Sequence, residues 1–235
     1  MQSVPAEPVD SGVYHYRLNG QETAVEERWQ RRRHASGEWQ VSSSRRATGL
    51  EILVDARVNA GLVTSFDVAW CQPGRADIHA EYGLAADRVV VSRRVSTEVA
   101  ATEEVLLHVG AAPPLLFPLM RIFTGPLIAR LLEGAGKGAV VLPAIADPAD
   151  RAALLRPVLS QREARVVEEG IELELAGARF QCSRCEYLGD QYGPGSWFWL
   201  GADELLVRYQ WQQSPQQHWD VWLQRDGEFS GRVCD

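Results

Sequence analysis

Between Val13 and Val109 the chain runs as short stretches of alternating or β-branched residues, each closed by turn-forming residues. Nowhere in that half do ten consecutive residues keep a convincing 3.6-residue apolar period. This punctuation constrains the fold more than any other feature, because successive side chains on a strand point to opposite faces whereas a helix face repeats every three or four residues. The turn groups are Asn19-Gly20, Ser36-Gly37, Asn59-Ala60-Gly61 and Pro73-Gly74, residues that reach positive φ or preset φ for a tight connection. Strands are expected over 13–18, 24–30, 38–44, 50–58, 62–70, 76–82, 88–94 and 104–109, an eight-strand antiparallel meander.

The middle of the chain changes period. Leu116, Leu119, Ile122, Phe123, Leu127, Leu131 and Leu132 follow helical spacing over 114–133, interrupted by Pro118 and Pro126 and ended by glycines 134, 136 and 138. A strand over 139–145 follows. Asp147 and Pro148 then read as the cap and first position of a short helix near 148–155. Strands resume over 157–168, 171–176, 178–187, 196–200, 205–211 and 218–224. Roughly fourteen strands are too many for a flat open sheet, which curls or splits beyond about ten. The expected fold is therefore mainly β. A large curved antiparallel sheet, a half-barrel or barrel, carries the helical insertion, and 1–235 form a single β-rich domain with a flexible stretch over 1–12.

Composition narrows the function classes. With 235 residues and 46% apolar content the chain can bury a sizeable core, and its net charge of −7 argues against nucleic acid as the main partner. The most apolar stretch, Ala111 to Leu132, contains Pro113, Pro114, Pro118, Pro126, Arg121 and Arg130. Charges near the middle of a span cost about 2.5–3.5 kcal/mol each on insertion scales, so no transmembrane segment is expected. The opening residues carry acidic side chains and Pro5 and Pro8 with no apolar run, unlike a signal peptide. The expectation is a cytoplasmic chain, or a periplasmic one if a native leader has been removed. Four scattered cysteines do not make a disulfide scaffold, so reduced thiols are expected.

Alternation assigns faces near the carboxy terminus. Trp197 and Trp199 share a face, as do Leu205, Val207, Tyr209 and Trp211, and as do Trp219, Val221 and Leu223. If these strands are neighbours in a meander, one surface holds four Trp and a Tyr, each ring able to bury about 150–250 Å². That surface is either a filled core or the wall of a groove for an apolar ligand, with the proline-broken helix and its Phe123 as lid. The stretch Tyr187-Leu-Gly-Asp-Gln-Tyr-Gly-Pro-Gly-Ser-Trp-Phe-Trp-Leu200, the run Leu205-Leu-Val-Arg-Tyr-Gln-Trp211 and the opening Tyr14-His-Tyr-Arg-Leu-Asn-Gly20 carry a resemblance. In strand order and texture the chain resembles uncharacterised bacterial half-barrel proteins that are similar to outer-membrane lipoprotein carriers and to glycolipid-binding proteins. The resemblance implies acyl chains held on the concave face of a curved sheet closed on one side by helices. The absence of a visible export signal departs from lipoprotein carriage.

Other chemistries are weaker. Cys182-Ser-Arg-Cys185 lacks the second pair that completes a zinc site, and strand positions three apart face opposite sides. Asp77, His79 and Glu81 share a face but span about 13 Å, too far for one ion. Gly134-Ala-Gly-Lys-Gly138 has Leu131 and Gly138 where a Walker loop needs Gly and Ser or Thr. Arg31-Arg-Arg-His34 with Arg45-Arg46 reads as a solvated hairpin tip or a local anion site, and His15, His108 and His218 have no assigned partner. The leading expectation is binding of an apolar or amphipathic small molecule, lipid- or glycolipid-like, through Trp197, Trp199, Tyr209, Trp211, Trp219 and Phe123, without cofactor or metal. The alternatives are an enzyme of unassigned reaction on an apolar substrate, with Asp190, His79 and Glu81 as candidate groups, and a protein-interaction module using the reverse face or a sheet edge.

Overall fold

The computed structural model describes residues 10–85, 88–96, 103–108, 113–189 and 191–226. The first meander comprises β1 (Asp10–Leu18), β2 (Gln21–Arg33), β3 (Trp39–Ala47), β4 (Leu50–Asn59), β5 (Leu62–Cys71), β6 (Ile78–Ala85), β7 (Arg88–Val95) and β8 (Glu103–His108). The second comprises β9 (Leu115–Leu116), β10 (Lys137–Pro143), β11 (Pro157–Leu175), β12 (Ala178–Leu188), β13 (Trp197–Gly201), β14 (Leu206–Ser214) and β15 (Gln217–Arg225). Helix α1 (Thr124–Glu133) lies between β9 and β10. The two meanders join where β1 pairs antiparallel with β15, giving one curved sheet in the order β8 to β1, then β15 to β9. Its edges are β8 and β9, and β9 packs against β5 on the other arm, so the sheet rolls without closing.

The turns form as their residues dictate. Asn19-Gly20, Ala60-Gly61 and Ala176-Gly177 each have positive φ at both positions, the type I′ geometry whose twist matches the flanking strands. Alternation then separates the faces. Ala56, Phe66, Tyr82 and Val91 are successive partners across β4 to β7, and all are buried on the concave side. The rings of Phe66 and Tyr82 stack at 4.4 Å.

Three expectations need correction. The helix expected over 114–133 is confined to Thr124–Glu133, preceded by a 3-10 turn at Arg121–Phe123. Leu115–Leu116 instead run parallel to β10, because Pro118 cannot continue a helix while Pro126 falls in the first helical turn, where no N–H is required. The helix near 148–155 does not form. Asp147 does accept the Ala149 N–H at 2.9 Å, but the carbonyls of Leu154 and Leu155 are taken by Arg93 Nε at 2.8 Å and Tyr82 Oη at 2.7 Å. Leu155 has φ of 62°, and the segment folds as turns over the end of the sheet. The strands at 157–168 and 171–176 are one, β11, in which register shifts near Glu168 and Gly170 absorb the extra residues as bulges. Of the stretch 1–12, residues 1–9 lie outside the described residues and 10–12 begin β1.

The insertion is fastened to the concave face by a buried polar network. Glu27, fully buried on β2, accepts hydrogen bonds from Tyr16 Oη at 2.9 Å, from Arg45 Nε and Nη2 at 2.9 and 2.6 Å, and from the backbone N–H of Arg121. Arg45 also donates to the Leu119 carbonyl at 2.8 Å, and Arg121 Nη1 donates to Tyr192 Oη at 2.9 Å. Arg45 therefore belongs to the core, not to a solvated hairpin tip. At the other end of the insertion, a Cβ on Gly125 would overlap the Glu204 carbonyl oxygen and come within 2.6 Å of the Leu206 nitrogen. Only glycine lets α1 lie this close to the β13–β14 connection.

Two stability measurements check this account. Glu27→Gln leaves Arg45 buried beside an uncharged partner and is expected to cost about 3–5 kcal/mol in urea unfolding, with part recovered when Arg45→Met is added. Ala60→Asn places a residue tolerant of positive φ in the β4–β5 turn and is expected to stabilise by about 0.5–1 kcal/mol.

Candidate functional site

The carboxy-terminal aromatics do not share one surface. Trp197 stands opposite Gln210 and Trp199 opposite Arg208, which places both Trp rings on the convex side. There Trp199 packs with Cys182 and Val207 in a small separate cluster that Trp197 adjoins, and Arg184 and Arg208 cover the Trp197 and Trp199 rings at 5.2 and 5.5 Å. The concave partner from β13 is Phe198, stacked on Tyr209 at 5.3 Å. A bulge opposite Leu200 turns Val207 outward while Leu206, Tyr209 and Trp211 face inward, so strict alternation along β14 fails at that point.

The inward aromatics are filled core. Phe198, Tyr209 and Trp211 are 0%, 2% and 8% exposed. Tyr192, brought in by the β12–β13 connection, meets Phe198 and Trp211 edge to face at 5.4 and 5.1 Å. That connection is held by Glu186, whose carboxyl is kept below its ordinary range by the Gly195 N–H and by Arg165. Trp219 is half-buried, edge-on to Tyr16, with its Nε1 donating to Gln213 Oε1 at 2.7 Å. Met120, Ile128 and Leu131 of the insertion fill the remaining concavity.

Open apolar space occurs instead at the end of the sheet bearing the β2–β3 and β4–β5 turns. A cavity of about 200 Å³ lies between α1 and β3 to β5, lined by Trp39, Val41, Val58, Val63, Ile122, Phe123, Pro126 and Leu205, with Arg31, Asp203 and Glu204 at its rim. A second of about 80 Å³ shares Gly61, Val63, Phe123 and Pro126 with it and extends to Leu62, Leu84, Pro113 and Arg130. Leu62 and Leu84 are exposed. The rim charges are paired: Arg31 to Asp10 at 2.6 Å, Arg130 to Glu204 and to Glu133 at 2.7 Å, and Arg225 to Asp203. Gly61 accommodates this arrangement, since a Cβ there would stand 3.3 Å from the Arg130 guanidinium carbon.

Of the six aromatic residues expected to bind ligand, Phe123 alone lines this cleft. Leu205, Ile122, Pro126 and Arg31 were noted in the sequence for other reasons, while Trp39, Val41, Val58 and Val63 were not singled out. Trp39 and Val41 share a face on β3, but nothing in the sequence shows where the insertion leaves space against that face.

The titratable candidates lie elsewhere. His79 and Glu81 line an open polar trough of about 730 Å³ on the convex face, with Asp55, Asp67, Arg28 and Arg94. Asp55, Asp67 and Glu81 are direct cross-strand partners, and burial, with Glu81 and Asp55 adding to it, raises the Asp67 carboxyl. Asp190 lies outside the described residues, as does the side chain of His108. His15 stacks on Trp222 at 5.5 Å and contacts Gln224, and His218 is half-buried. Cys182 and Cys185 point to opposite faces, and burial pushes both thiols to about 11. Among the described residues no group of three His, Cys, Asp or Glu converges to hold a metal ion, and no helix is long and apolar enough to cross a membrane.

No family model and no curated protein matches the chain. Among solved structures, it is similar to a β-barrel-like protein of the domain of unknown function DUF1849 from Brucella abortus, with a TM-score of 0.52 and 11% identity over 94% of this chain and 98% of that one. At that identity the likeness concerns the fold.

The concave tyrosines yield a test. Burial pushes the phenols of Tyr14 and Tyr209 well above their ordinary value and that of Tyr16 to about 12. A raised folded value means the proton is held more tightly in the folded state. Stability should therefore be flat with respect to Tyr16 below pH 10, where the unfolded phenol titrates, and fall by about 3 kcal/mol as pH rises to about 12. Denaturant unfolding across that range, with tyrosinate absorbance followed in parallel, measures both quantities.

Proposed function

We propose that the protein binds a single apolar chain of a small amphiphile in the cleft between α1 and β3 to β5. The observation that carries this reading is the apolar cavity of about 200 Å³ that the protein's own side chains leave empty beside Phe123, in a structure whose concave face is otherwise packed. At about 30 Å³ per water-sized group, this space takes six or seven heavy atoms. That suits one short alkyl segment rather than the paired chains of a membrane lipid. The exposed Leu62 and Leu84, with Pro113 and Pro114, supply an apolar lip across which a chain can pass from a micelle or membrane surface. Lipid- or glycolipid-type ligands are thereby narrowed to those presenting one chain end. Tyr209, Trp211 and Trp219 act from behind, as the packed wall against which the insertion is held.

The size sets an affinity. Six methylene-sized groups at about 0.8 kcal/mol each give about 5 kcal/mol, or a Kd of about 0.2 mM. Titration calorimetry with octanol should show binding in that range. Val63→Phe, which fills the cavity, should weaken it by about tenfold or more while thermal unfolding confirms a folded protein. Phe123→Ala, which enlarges the space, should shift the preference toward decanol. Absence of alcohol binding to the unaltered protein rejects the reading.

A further inference from the structure

The rim of the cleft is electrically uneven. Near the carboxy end of α1, Arg130 meets two carboxylates, Glu204 and Glu133. At the opposite end Arg31 lines the rim, and Arg33, the cross-strand partner of Trp39, stands just outside the cavity lining; their guanidinium carbons lie 5.2 and 5.8 Å from the centroid of the Trp39 ring. Arg31 is neutralised by Asp10, but its Nε is buried without a hydrogen-bond partner. Arg33 is exposed and has no carboxylate partner among the described residues. Trp39 itself lines the cavity.

With Arg31 neutralised by Asp10, Arg33 is the cation at the Trp39 ring without a carboxylate partner among the described residues, and it gains only weakly from the ring at an exposed site. An anion beside Trp39 would accept the Arg33 donors, supply the counter-charge that Arg33 lacks, and leave its attached chain directed along Val41, Val63 and Phe123. From this juxtaposition we infer that the ligand is anionic, a single-chain amphiphile with a carboxylate- or phosphate-type head held by Arg33 and Arg31 at the Trp39 end. The inference rests on the chain-binding reading of the cleft and specifies its head group.

The test compares octanoate and octyl phosphate with octanol and octylammonium by titration calorimetry on the full chain at low ionic strength. Because the site is partly exposed, the expected gain of the anions over octanol is about three- to fivefold, shrinking toward none at about 0.5 M salt, with octylammonium weakest. Arg33→Gln should bring the octanoate-to-octanol affinity ratio toward one, and Arg46→Gln, at a paired site outside the cleft, should leave the ratio unchanged. The two anions separate carboxylate from phosphate recognition. Octanol binding as tightly as both anions, or a ratio that survives Arg33→Gln, overturns the head-group inference while leaving chain binding intact. Failure of all four ligands to bind overturns the cleft reading itself.

Discussion

A carboxylate removed from water must be paired, and Glu27 is paired with groups from two separate parts of the chain. Its oxygens bind Arg45 and Tyr16 on neighbouring strands of the sheet and the backbone N–H of Arg121 in the insertion. The apolar contacts of Met120, Ile122 and Phe123 with the sheet are non-directional and would tolerate several placements of this segment. The charge network does not, because an uncompensated buried ion costs several kcal/mol. It sets where α1 begins, and so how much of the concavity is filled and where a gap is left.

The sheet that receives the insertion depends on a second constraint. Apart from the parallel β9–β10 pair, both meanders are built from antiparallel neighbours, but their union is the pairing of β1 with β15, in which Tyr14 stands opposite Leu223 and Tyr16 opposite Val221. This register places the tyrosines of β1 on the same inner face as Tyr209 and Trp211 of β14. The polar centre at Glu27 and the aromatic packing around Tyr192 thus lie in one core. The Arg121 side chain spans them, donating to Tyr192 and lying 4.7 Å from the Tyr209 ring centroid. A filled core of this kind explains why the open space is displaced to one end of the sheet. There α1 and the ends of β3 to β5 meet without filling the space between them.

Parts of this arrangement were legible from local rules. The hairpin turns, the eight-strand meander of the first half and the opposite orientation of Cys182 and Cys185 follow from residues near one another in sequence. Where local signals misled, a distant partner intervened. The 148–155 segment has a capping Asp and a proline in good positions, yet Arg93 and Tyr82 take the carbonyls at its end. Trp197 and Trp199 alternate as strand residues should, but their face depends on register with β14, where one bulge reverses the relation between Val207 and Tyr209. Glu27 was not singled out from the sequence: alternation puts it on the face of Trp29, but its partners Arg45 and the Arg121 N–H come from another strand and from the insertion.

By itself the sequence determined the strand content, the turns and which neighbours on each strand share a face. All of these are short-range consequences of backbone sterics and side-chain alternation. Only the tertiary structure decided which face is the interior, that the aromatic-rich strands are packed rather than open, and that the unfilled volume lies beside Phe123 and Trp39. Those outcomes depend on pairing residues more than a hundred positions apart and on the volume left when an inserted helix meets a curved sheet. Neither quantity is written in any local stretch of the chain.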